Sequence, residues 1–95
     1  MPVPPQKVRD VAAKALEMRR KHGHGGTAVG VARARDLKNG KNIPIKTMKR
    51  MLSFFQRHSA YRYKHAIDPT GPAKISWMLW GGDPGYRWVV EVLKT

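Results

Sequence analysis

Between Pro5 and Lys21 the apolar residues Val8, Val11, Ala12, Ala15 and Met18 recur three and four positions apart, the spacing of one face of an amphipathic helix. Arg19-Arg20-Lys21 would form its last turn, beside the negative end of the helix dipole. HGHGG (22–26) ends it. Thr27 has the chemistry of an N-cap for a second helix reaching Asn39, with Ala28, Val31, Ala32 and Leu37 available for burial and Gly40 as the C′ residue. After the short connection KNIP (41–44), Met48, Met51, Leu52 and Phe55 form the inner stripe of a third helix over 45–58. Residues 59–72, with the turn-rich IDPTGP, read as loop. A fourth helix spans Ala73 to Trp80 with Ile75, Met78 and Leu79 inward, and Gly81-Gly82 stops it. Asp83 and Pro84 then have the order of an N-cap and an N1 proline, opening a last helix over 84–93 that offers Tyr86, Val89, Val90 and Leu93 for burial. No alternating run argues for a sheet, and 88–92 is the stretch closest to strand character. The expectation is an all-α single domain of four to five short helices, preceded by an extended, frayed lead over 1–5, where the prolines disfavour helix.

Composition narrows the possibilities. A chain of 95 residues supports one modest core. With no cysteine there is no disulfide framework, thiolate–zinc site or cysteine nucleophile. No uncharged stretch approaches the ~20 apolar residues of a membrane span, and MPVPPQKVRD lacks the apolar run of a signal peptide. The chain therefore reads as a soluble intracellular protein, without a membrane role or cofactor. Charge is the dominant feature. Sixteen of the nineteen Lys and Arg, but only three of the six acids, lie in residues 1–64, so that part holds the whole net charge of +13. Residues 65–95 are neutral and contain all three tryptophans. A charge this one-sided repels itself in the compact state, and a polyanion relieves it. The basic segments lack the bulky aromatic face that an interfacial membrane helix buries.

Several residue groups are candidates for chemistry. The second and third helices suggest a helix-turn-helix, in which Lys46, Thr47, Lys49 and Arg50 would meet the major groove. Two antiparallel helices with charged outer faces account for the same pattern. Gly25-Gly26-Thr27 ahead of a helix could cradle a phosphate on free backbone N–H groups, or be a flexible linker. Neither His22 and His24 nor the distant His58 and His65 have the companions a metal site needs. Ser53, Ser59 and Ser76 lack a nucleophile-elbow context, and the acids are too scattered to form a catalytic pair. An enzyme is not expected. Trp77, Trp80, Trp88, Tyr86, Phe54 and Phe55 suit a core better than a stacking platform. Tyr61-Arg62-Tyr63-Lys64, aromatics interleaved with cations, suits a nucleic-acid edge.

Three strings, GGTAVGVARARDL (25–37), TMKRMLSFFQRH (47–58) and ISWMLWGGDPGYRW (75–88), together resemble a small module of tailed bacteriophages. That module occurs free-standing and attached to head-assembly proteins, including prohead-protease-like ones. The resemblance covers about half the chain and implies a phage origin, with a place in the host cytoplasm or the virion, but no biochemical activity. Where the module continues with acidic and lysine-rich residues, SAYRYK follows His58 here, making this copy more basic and more aromatic. The leading expectation is a non-enzymatic protein that binds nucleic acid, DNA rather than RNA, through Arg33, Arg35, Lys46, Lys49, Arg50 and Arg57 on one contiguous patch. Two rivals are a capsid-associated protein docking on an acidic capsid surface and an early phage protein that redirects a host enzyme.

Overall fold

Local signals set most of the helix boundaries. The computed structural model describes residues 2–94. Helix α1 (Gln6–His22) follows the extended Pro5 and ends at Gly23, whose left-handed backbone returns its N–H to the Arg19 carbonyl at 2.8 Å. Helix α2 (Ala28–Lys38) is capped by Thr27, whose hydroxyl accepts from the Gly30 N–H at 3.3 Å. Helix α3 (Ile45–His58) runs into a 3-10 turn (Ser59–Tyr61) and the short α4 (Tyr63–Ile67), and α5 (Pro72–Leu79) and α6 (Gly82–Leu93) complete the chain. Among the described residues there is no strand; 88–92 lies within α6. The fold is all-α.

The core is one cluster drawn from α1 (Val8, Ala12, Ala15), α2 (Ala34, Leu37), the α2–α3 connection (Ile43), α3 (Met48, Met51, Phe54, Phe55), α5 (Ile75, Trp77, Met78, Leu79) and α6 (Val89). Helix α1 crosses α2, α5 and α6, while α3 lies on α6. Trp77 sits at the aromatic centre, edge-on to Phe55 at 4.9 Å, and Phe55 stacks on Tyr86 at the same distance. The neutral last third thus supplies much of the interior against which the basic helices rest.

The structure corrects the sequence-based picture in several places. The lead is extended but not frayed: the Pro2 carbonyl accepts from the Ile43 N–H at 2.8 Å, and Pro4 is buried. On α2 the buried face is Gly30, Ala34 and Leu37, with Val31 half-buried, while Ala28 and Ala32 are exposed. Two stripes of small residues compete on this helix, and burying an alanine gains too little to select between them. Val90, offered for burial, stays exposed, whereas Phe54 lies in the core as expected, stacking on Trp80 at 4.6 Å. Residues 59–67 are helical turns rather than loop, with none of their side chains buried. The helix-turn-helix pairing of α2 and α3 is not the packing found. Residues 39–44 separate them, α2 packs chiefly on α1 and α5, and α3 chiefly on α6.

The last helix begins two residues earlier than its sequence suggests. Its N-cap is Gly81, at φ 108°, and Asp83 lies inside the first turn. A Cβ at Gly81 would stand 2.9 Å from the Gly85 Cα, and one at Gly85 equally close to the Trp80 carbonyl oxygen. These two glycines let the first turn of α6 press against the end of α5. That shift releases Asp83 from capping, and its carboxylate instead accepts from Trp77 Nε1 at 2.9 Å and from the Arg62 guanidinium at 2.7 Å.

Candidate nucleic-acid interface

A helix advances 100° per residue, which places Met48, Met51 and Phe55 on one side of α3 and Lys46, Lys49, Arg50, Ser53 and Arg57 within about 100° on the other. The first set is buried and the second exposed. Lys46 and Arg57 are about 16 Å apart along the axis at 1.5 Å per residue. Among the described residues, carboxylates pair with Arg33, Lys41, Arg62 and Lys94, and none lies within ion-pair distance of Lys46, Lys49, Arg50 or Arg57. Four cations on one exposed helix face are therefore uncompensated. Thr47 is half-buried and lies about 60° outside this arc, so it is not one of the set.

Beside this face runs a groove of about 450 Å³ between α3 and the start of α2, lined by Val29, Arg50, Ser53, Arg57, His58 and Trp80 among others. Through Phe54, His58 and Ser76 it continues into a second groove of about 320 Å³ that reaches Tyr61, Lys64 and His65. Neither groove is lined by an Asp or Glu. His58 packs on Phe54 at 4.5 Å; burial, with the Arg57 guanidinium nearby, holds its pKa below the ordinary histidine value. Burial also lowers His65, reinforced by Lys74 and Arg62 and opposed by Asp83. The groove is cationic without these imidazoles, and protonating them would add to its charge.

The other candidate residues lie elsewhere. Arg33 leaves the set: its side chain is only 15% exposed, it pairs with Asp36 at 3.4 Å, and its guanidinium lies 5.8 Å from the Trp80 ring centre. Its Nε is buried and makes no hydrogen bond. The signal for this was local, since Asp36 follows three positions later on the same helix. Arg62 is also diverted, stacking over Trp77 at 4.9 Å and donating to Asp83. Burial would raise the Asp83 pKa, but the hydrogen bonds from Arg62 and Trp77 outweigh it and hold the carboxyl below its usual value. Lys64 keeps its exposure, its ammonium 5.0 Å from the Tyr61 ring centre.

Packing and capping account for Gly25, Gly26 and Thr27, the candidate phosphate segment. Both glycines have positive φ and are pressed against α5, so a side chain would strike Ile75 at Gly25 and Leu79 at Gly26. The Gly25 carbonyl accepts from Arg19 Nε at 2.9 Å, and the Thr27 hydroxyl already caps α2. Arg35, by contrast, is exposed but on the far flank of α2, where it shares a groove of about 860 Å³ with Lys14, Arg20 and Lys38. Lys14 and Arg20 were not legible in the sequence, because only the pairing of α1 with α2 brings them beside Arg35, whereas Lys38 stands three positions after Arg35 on the same helix.

No family model, curated protein or solved structure matches the chain. Among the described residues no group of three His, Asp or Glu is placed to hold a metal ion, and no helix is long and apolar enough to cross a membrane.

Proposed function

We propose that this chain is a non-enzymatic nucleic-acid-binding protein that takes duplex DNA on the outer face of α3. The observation that carries the reading is the unpaired row Lys46, Lys49, Arg50 and Arg57 on one exposed helix face, bordered by grooves without carboxylates. Assembling four like charges costs folding stability, and a phosphate backbone offsets that cost on binding. Duplex DNA suits the surface better than duplex RNA. The major groove of B-DNA is about 12 Å wide and admits a helix, whereas that of A-form RNA is too deep and narrow. The resemblance of its sequence to a tailed-phage module supports, as part of this proposal, a role in the infected host's cytoplasm or in the virion.

Four phosphate contacts give a slope near −3.6 in a plot of log affinity against log salt. Titrating a fluorescent duplex by anisotropy should therefore show affinity falling about a hundredfold between 50 and 200 mM salt. Absence of binding at 50 mM salt, or affinity indifferent to salt, overturns the reading.

A further inference from the structure

Two sets of cations without ion-pair partners lie on opposite flanks of α2. Taking α2 as a wheel, Val31, Arg35 and Lys38 lie within about 60° of one another, and Val29, beside Arg50 and Arg57, lies about 150° away. The first three line the groove against α1, together with Lys14 and Arg20. Val29 lines the groove against α3. Between the two flanks the ridge carries Ala28, Ala32 and Asp36, whose carboxylate is paired with Arg33 and Lys41. The α1–α2 groove also holds Asp10 and Glu17, and Arg19 there spends its Nε on the Gly25 carbonyl. Even so, Lys14, Arg20, Arg35 and Lys38 have no carboxylate within ion-pair distance among the described residues. They are a second uncompensated set, matching the row on α3 in number.

One duplex laid on α3 leaves this second set unsatisfied, because a ridge whose charges are already paired separates the two. We infer that the protein bridges two DNA duplexes, one held by the outer face of α3 and the other by the groove between α1 and α2. The inference rests on the DNA-binding reading above and extends it to a second, independent surface. The occupant of that surface follows from charge complementarity: four free cations along two packed helices face the same kind of polyanion as their counterparts on α3. A single chain then acts as a crosslink and needs no dimer interface.

The test is a capture experiment with the full chain at 50 mM salt. An unlabelled duplex is immobilised, loaded with protein and washed, then exposed to a fluorescent duplex of the same length. Captured fluorescence is divided by the amount of protein retained. The expected result is capture about tenfold or more above a protein-free surface, disappearing as salt releases the phosphate contacts. Two double variants at exposed positions, Lys49→Gln with Arg50→Gln and Arg35→Gln with Lys38→Gln, should each bring capture per bound protein down at least about fivefold. Sedimentation of the free wild type should give the monomer mass of 10.8 kDa. Protein retained on the first duplex without capture of the second overturns bridging and leaves the DNA-binding reading standing. No retention at all overturns that reading instead. Capture that survives Arg35→Gln with Lys38→Gln but fails with Lys49→Gln and Arg50→Gln, in a protein that sediments as a dimer, assigns bridging to two copies of one face and overturns the proposal.

Discussion

The outer face of α3 and the segment from Ser59 to Lys64 are adjacent in the chain and similar in composition, yet the fold uses their cations differently. On α3, Lys46, Lys49, Arg50 and Arg57 project from a helix whose other side is fixed by Met48, Met51 and Phe55, with no acid within ion-pair reach. In the next turns, Arg62 is drawn back over Trp77 and onto Asp83, twenty-one residues away in sequence. The difference is one of availability. A cation contributes to a binding surface only if folding brings no carboxylate to it, and for Arg62 long-range packing decides that. Arg62 joins the 59–67 segment to the α5–α6 corner, whereas the α3 row leaves its charge for a partner.

Removing the α3 charge breaks the comparison most sharply. In a chain that already carries Arg35→Gln and Lys38→Gln, so that the α1–α2 groove does not hold the probe, replacing Lys46, Lys49, Arg50 and Arg57 together by Gln should lower duplex affinity at 50 mM salt by about a hundredfold and reduce the salt slope by about four. All four are exposed helix positions at which Gln is a good helix former, so the urea midpoint should not fall. Loss of less than about threefold in affinity would show that this face is not where DNA sits.

The opposite pattern is expected at the corner. Asp83→Ala removes the acceptor of both Trp77 Nε1 and Arg62. Trp77 is 1% exposed, so its N–H is left without a partner, at a cost of about 1–3 kcal/mol seen in equilibrium urea unfolding. The Arg62 pair adds little to this, because both side chains are about half exposed and the pair is screened. Affinity for the duplex should change by less than about threefold. If Asp83→Ala instead weakened DNA binding as much as the α3 variant, the distinction between the two regions would fail.

How far the sequence could be read follows the same division between local and long-range causes. Helix positions were legible because caps, glycines and apolar spacing act within a few residues: Thr27, Gly23 and Gly40 all serve as their chemistry suggests. The α3 face was legible for the same reason, since one helix alone fixes which of its residues share a side. Arg33 was a local miss, because Asp36 on the same helix was in view. Arg62, Lys14 and Arg20 were not legible, because their surroundings are made by chain segments far away in sequence. Asp83 combines the two. Asp-Pro is a sound helix start, but the closeness of Gly81 and Gly85 moved the start back and left the carboxylate for Trp77 and Arg62.

The smallest expected effect is a titration that distinguishes the two regions by pH. His58 and His65 have pKa values below the ordinary 6.5 when the chain is folded, so below pH 6.5 the unfolded chain takes up these protons first. Stability therefore falls as the pH drops from 6.5 toward the folded values and levels off beneath them, and the loss is small because neither imidazole is deeply buried. Asp83 acts in a lower window: its depressed pKa contributes stability that is lost only as pH falls from 3.8 through its folded value. Urea midpoints of the free protein should thus decline in two separate steps. His58→Gln with His65→Gln should flatten the first step and Asp83→Asn the second. A bound duplex should reverse the sign of the first, since phosphate stabilises the protonated imidazoles. Affinity should then rise modestly, by about two- to fivefold between pH 7 and pH 5.5. This gain should be absent from the histidine double variant and intact in Asp83→Asn, because only the imidazoles line the grooves beside α3.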